Sequence, residues 1–175
     1  QTTVVELCSF LTPKGNRVQS LYALRDKEHT NTLLLLQGDT KGNLYVFAMN
    51  QSHVESSSQG IEPLLTIFKA HKKEKVMHIT QHPTWTHHFV LNEGRAVTQF
   101  YSAGRDGSFR QHRLELVCGA GSTVERVEVV QTKETKTASV IPSLDYVHFQ
   151  GEEVVLVGFY SNNFVVYSWT DKHTV

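Results

Sequence analysis

Three stretches of the chain follow one plan, and that repetition constrains the fold more than any other feature. "LLLLQGDTKGNLYVFAMN" (33–50), "YSAGRDGSFRQHRLE" (101–115) and "VVLVGFYSNNFVVYSWT" (154–170) share three parts. Each has an apolar strand ending in small residues or glycine, a four-residue turn, and a strand carrying an aromatic ring or histidine. Laid on their turns, Gly42, Gly107 and Asn162 fall in register, all residue types that tolerate the left-handed backbone of a tight turn. Leu44, Phe109 and Phe164 then share one position, and Phe47, His112 and Tyr167 share the position three residues on. The corners lie 65 and 55 residues apart, so the repeated unit is larger than a hairpin.

Two further strands precede each hairpin. In the middle unit they are "PLLTIFKAH" (63–71) and "KVMHITQH" (75–82); in the first, "TVVELCSFL" and "RVQSLYAL"; in the third, "TVERVEVVQT" and "PSLDYVHFQ". Four short strands per unit, rich in Val, Leu, Tyr and Phe and without a helical period, predict an all-β fold built from antiparallel propeller blades. The expected β-propeller segment is one domain over residues 1–175, with about three four-stranded blades near 1–50, 63–116 and 123–170. Three blades do not close a ring, since propellers have at least four. The chain is therefore expected to belong to a larger propeller, in keeping with its opening at Gln1 rather than Met.

Composition removes several function classes. A formal charge of zero means that the molecule as a whole does not attract nucleic acid or anionic lipid. The longest apolar run, Leu33 to Leu36, is far short of the ~20 residues of a membrane-spanning helix, and no secretory signal precedes it. Cys8 and Cys118 stand far apart, which suits a reducing compartment better than a disulfide scaffold.

Candidate chemistry is sparse. His78, His82, His87 and His88 crowd "HITQHPTWTHH", but no cysteine or acidic pair accompanies them as a zinc site requires, so a metal-assisted hydrolase is the weaker reading. Ser56 to Ser58 lie in an insertion with no nucleophile elbow. "GAGST" (119–123) lacks the Gly-Lys-Ser/Thr and following helix of a phosphate loop. Trp85 and Trp169 fit core packing, and Asp39 and Asp106 fit turns. No residue is assigned a catalytic role, and no metal or cofactor is expected.

Charge becomes informative once the strands are assigned, because alternate loops of a propeller share one face. One set of loops and turns carries Lys14, Arg17, Lys41, Lys72, Lys73, Lys75 and Arg105, with Lys133 and Lys136, against four acidic residues. The opposite loops reverse the balance, with Asp26, Glu28, Glu55 and Glu93 among eight acidic residues against three basic ones. A neutral chain is thus expected to be polarised, with one basic face suited to an RNA backbone or an acidic partner.

"AHKKEKV" and "YSAGRDGSFRQH" together resemble the Gly-His and Asp-Gly elements of the WD-repeat family, with Ala70 replacing the glycine and His112 standing where the family has tryptophan. The Trp-Asp dipeptide is missing from every unit, and Lys41 and Ser161 occupy the turn position of Asp106 in the other two. The resemblance implies a side-chain chain inside the blade: His71 donating to Asp106, continued by Thr80 or His78. In their order, "LLLLQGDTKGNLYVF", "GRDGSFRQ" and "VLVGFYSNNFVVYS" resemble consecutive blades of a degenerate WD-repeat family. Its members are the non-catalytic partners of a tRNA 2′-O-ribose methyltransferase acting in the anticodon loop. That resemblance implies a cytoplasmic scaffold that binds the methyltransferase catalytic subunit and, on its basic face, tRNA, with S-adenosylmethionine held by the partner. A general WD-repeat adaptor in trafficking or ubiquitin ligation is the competing reading.

Overall fold

Short runs rich in Val, Leu, Tyr and Phe become strands, some apolar on both faces, as in Leu44–Asn50, and some on alternate residues, as in the first half of Arg95–Gly104. The computed structural model describes residues 9–25, 32–50, 60–81, 94–119, 123–137, 139–150, 152–159 and 163–168. The first sheet is β1 (Val18–Arg25), β2 (Thr32–Asp39), β3 (Leu44–Asn50) and β4 (Leu65–Ile67). The second is β5 (Val76–Gln81), β6 (Arg95–Gly104), β7 (Ser108–Cys118) and β8 (Val124–Lys136). The third joins β9 (Ser143–Phe149), β10 (Glu152–Gly158) and β11 (Phe164–Ser168). Every pairing within the sheets is antiparallel between strands consecutive in sequence.

The sheets stack face to face, and their first strands lie side by side, β1 against β5 and β5 against β9. Ser20 Oγ on β1 donates to the Val76 carbonyl on β5 at 3.0 Å, which pins the first two sheets where they converge. Successive antiparallel meanders that meet along their first strands are propeller blades; the first two have the expected four strands and the third has three among the described residues. Between the first two sheets, Leu34, Leu36 and Val46 pack on Ile79, Phe100 and Leu114. Between the second and third, Tyr101 and Phe109 pack on Leu144, Tyr146, Val155 and Val157, with the Tyr101 and Tyr146 rings stacked at 5.3 Å. Each such buried side chain contributes about 1.5–3 kcal/mol.

The expected grouping of strands is offset by one from the sheets. Residues 63–71 were expected to open the second unit, but β4 pairs with β3 and completes the first sheet. Likewise β8 pairs with β7 and completes the second sheet, where the sequence grouping placed it at the head of the third unit. The reason is that a repeat fixes a period but not the point at which the chain steps between sheets. That step is made by loops 68–75 and 137–142. Of "TVVELCSFL" (3–11), assigned to a strand of the first unit, residues 3–8 lie outside the described residues, and in its tail Phe10 forms a parallel bridge with Ile61. Phe10 and Ile61 there cover Tyr45 and Phe47 on the far side of the first sheet, the Phe10 and Phe47 rings meeting edge to face at 5.2 Å.

The three aligned strands keep one orientation. Leu44 and Phe109 point to the following sheet and are fully buried, whereas Phe47, His112 and Tyr167 point backwards. Phe164, the third member of the first set, is 73% exposed.

Candidate functional site

The loops that carry the basic residues are hydrogen-bonded to one another at one end of the molecule. Thr40 N donates to the Arg17 carbonyl, His71 N to that of Gly42, Arg105 N to that of Lys75, and Thr137 N to that of Gly107, at 2.7–3.0 Å. Lys14 and Arg17, Lys41, Lys72, Lys73 and Lys75, and Arg105 thus lie along one continuous arc of backbone. All are exposed except Lys75, which is half-buried. Arg105 has one acidic neighbour, Glu74, at 4.0 Å. Lys69, which the sequence reading placed within a strand, belongs to the same arc and is exposed. Of the eight acidic residues expected at the other end, Asp26, Glu28, Glu55 and Glu93 lie outside the described residues, while Glu62, Glu115, Glu152 and Glu153 lie within them.

The arc is held up by buried side chains rather than by loop backbone alone. Gly42 sits at φ +81°, and a Cβ there would lie 2.7–2.8 Å from the carbonyl oxygens of Glu74 and His71. The turn therefore admits glycine both by conformation and by space. His71, fully buried, passes over Gly104, where a Cβ would run into its imidazole.

Behind the loop, polar groups form one chain through the second sheet. His71 Nδ1 lies 3.0 Å from Asp106 Oδ1, as the WD-repeat resemblance implies. His71 Nε2 lies 2.8 Å from Ser102 Oγ, Ser102 Oγ 2.9 Å from His112 Nε2, and His112 Nδ1 3.2 Å from Thr132 Oγ1. With the Asp106 carboxylate as the strongest acceptor, the proton order in which His71 donates to it runs through the whole chain, although it sets Arg110 Nη1 against the protonated His71 Nδ1. Thr132 donates to His112, His112 to Ser102, Ser102 to His71, and His71 to Asp106. Arg110 Nη1, 2.7 Å from His71 Nδ1, donates to Asp106 Oδ2 at 3.2 Å, and Arg110 Nη2 donates to Glu134 at 2.8 Å. Ser108 completes the carboxylate's shell through its Oγ at 2.8 Å and its backbone N at 3.2 Å.

Ser102 takes the place expected for Thr80 or His78. Thr80 pairs with Tyr101 and His78 with Ala103, so both point to the third sheet; Ser102 is opposite Ile79 and shares its face with Phe100 and His112. Strand parity excludes Thr80 from the network. His112 stacks on Phe100 at 4.7 Å, a planar ring at the position where the WD-repeat resemblance expects tryptophan.

Burial governs the titration of these groups. It lowers His71 below its ordinary value, against the opposing bond to Asp106, and pushes His112 down to about 3, with neighbouring His71 and Arg110 adding to the effect. Burial alone would raise Asp106, but the bonds from His71 and Ser108 and the Arg110 charge outweigh it and hold the carboxyl below the usual range.

The first sheet solves the same problem with different residues. Its turn has Lys41 where the second has Asp106, and the carboxylate comes instead from Asp39, fully buried. Asp39 accepts from the backbone of Lys41 and Asn43 and from the side chains of Asn16, Asn43 and Tyr45, all at 2.8–2.9 Å. Asn16, from the loop before β1, plays the part that His71 plays from the loop before β5. Asn162, the expected third corner, lies outside the described residues.

The Ser102–His71–Asp106 distances match those of a nucleophilic triad, yet the serine is fully buried and its oxygen is shared by two imidazoles. No substrate carbonyl reaches it. Of the four clustered histidines only His78 is described. It lines an open cavity of about 550 Å³ with Ser143, Leu144, Asp145, Gly158 and Phe164, and burial lowers its pKa despite the Asp145 charge. Among the described residues no three His, Cys, Asp or Glu side chains are grouped to hold a metal ion, and no helix is long and apolar enough to cross a membrane.

No protein-family model matches the sequence. No curated protein matches it either. Among solved structures the chain is similar to the WD40 domain of SCAP from fission yeast, at 14% identity and a TM-score of 0.46, over 88% of this chain and 31% of that one. It is also similar to BBS1N in its complex with ARL6DN, at 11% identity and a TM-score of 0.39, over 91% of this chain and 54% of that one. The chain thus spans less than two thirds of the length of either.

Proposed function

We propose that this chain is a non-catalytic WD-repeat scaffold whose basic end engages tRNA and which supports 2′-O-ribose methylation in the anticodon loop by binding the methyltransferase catalytic subunit. The observation that carries the RNA part is the arc of interlinked loops bearing Lys14, Arg17, Lys41, Lys72, Lys73, Lys75 and Arg105. Closely spaced cations on a fixed backbone displace counterions from phosphates, a contact that is strong at low salt and carries little sequence information. The methyltransferase partner is supported by the ordered resemblance of the three hairpins, and S-adenosylmethionine belongs to that partner. The buried network has a structural role here: it positions the loop that presents Lys72, Lys73 and Lys75.

The test is tRNA binding by the chain with Lys72, Lys73, Lys75 and Arg105 each changed to Glu. Affinity at low salt drops by at least roughly tenfold, and the dependence on salt becomes shallower by close to one unit of log–log slope per lost contact. Unchanged affinity removes the RNA role. A purification that returns trafficking or ubiquitin-ligase complexes, and no methyltransferase, favours the general adaptor.

A further inference from the structure

Phe68 is the most exposed large apolar side chain among the described residues, at 76%, and it stands at the head of the 68–75 loop in the basic arc. Lys69, Lys72 and Lys73 follow it within five residues. The fold has three apolar clusters close by and uses the ring in none of them.

The loop that carries it has a strained backbone tied down by hydrogen bonds. Lys69 and Lys72 have φ of 53° and 55°, a left-handed backbone that side chains with a Cβ rarely adopt. It is held there by its surroundings: Lys69 N donates to Asn43 Oδ1 at 3.0 Å, His71 N to the Gly42 carbonyl at 2.9 Å, and Lys72 N to the Lys69 carbonyl at 2.9 Å. Two strained residues in a loop anchored by a buried histidine mark a surface kept in one shape, which lowers the ordering cost of whatever binds.

We infer that Phe68 is a stacking platform for an unpaired base of single-stranded RNA, with Lys69, Lys72 and Lys73 on the flanking phosphates; this rests on the RNA reading above. The partner has to offer a flat apolar surface and dense negative charge within a few ångströms of each other. A single strand offers both, since its bases are free to stack on a ring while its phosphates meet lysines. A duplex offers the phosphates but keeps its bases stacked inside. An acidic peptide offers charge without a matching planar face.

The experiment compares binding of a labelled 20-nucleotide unstructured RNA, the same strand annealed to its complement and a labelled Glu-rich peptide, for the full chain and for Phe68→Ala, Phe68→Trp and Lys72→Glu/Lys73→Glu. Phe68→Ala weakens the single strand by roughly fivefold or more and leaves the duplex unchanged. Phe68→Trp retains the single strand, which quenches the added indole emission. The double lysine variant weakens both. Equal binding of the single strand by Phe68→Ala and the parent overturns the inference while leaving the RNA reading in place. A loss confined to a Glu-rich peptide assigns the ring to a protein partner and also overturns it. Failure of the parent chain to bind either RNA removes the inference and the reading together.

Discussion

His112 occupies a site where the WD-repeat resemblance calls for tryptophan, and its neighbours explain why an imidazole serves. An indole donates one hydrogen bond; an imidazole donates one and accepts another, so His112 links Ser102 on β6 to Thr132 on β8 while still stacking on Phe100. That dual role requires the neutral ring. His71 and His112 are both pushed down by burial in the folded chain, whereas in the unfolded chain each titrates near 6.5. The unfolded chain therefore binds more protons as pH falls below about 6.5. His112 contributes a loss of stability that begins as pH falls below about 6.5 and continues toward pH 3, by up to about 1.4 kcal/mol per pH unit, and His71 acts in the same direction. Asp106, held below the usual carboxylate range, adds a further loss as pH falls through about 4. Urea unfolding at a series of pH values checks this: His112→Phe has a shallower slope between pH 6 and 4 than the parent. An unchanged slope, or a parent stabilised by acid, contradicts the neutral network.

At the scale of the strand, the repeat assigns opposite fates to chemically identical residues. Phe109 and Phe164 share a position, but a following sheet covers only the first. Phe109→Ala costs about 3–5 kcal/mol, as for other buried phenylalanines, and Phe164→Ala costs less than about 0.5 kcal/mol in this chain. Chemical denaturation of the two variants measures both, and similar losses contradict the difference in burial. The shared register was legible in the sequence because left-handed corners at Gly42 and Gly107, +81° and +70° in the structure, need particular residue types. The grouping of strands into sheets was not legible: β4 and β8 read equally well as the first strand of one unit or the last of another until their hydrogen bonds are known. Ser102 was missed for Thr80 or His78 although alternation from Phe100 places it on the network face, because the chain was sought on the neighbouring strand β5. Asp39 was read only as a turn residue, since nothing in the sequence brings Asn16 and Tyr45 to it.

For the whole molecule, the polarity of the loops was legible only through the fold. Lys14 and Arg105 are 91 residues apart in sequence and meet on one arc because successive sheets turn their corners at the same end. Lys69 and Phe68 escaped notice because they were read as part of a strand, whereas β4 ends at Ile67. A surface built this way depends on the buried chain from Asp106 to Thr132 to hold its loops in place. The most direct measurement is ultraviolet crosslinking of tRNA to the chain at low salt, followed by mass spectrometry of the attached peptides. The account predicts crosslinks in residues 13–17, 40–43, 68–75 and 105–107. Crosslinks confined to the other end of the strands, around Gly94 and Cys118, or none at all, would contradict it.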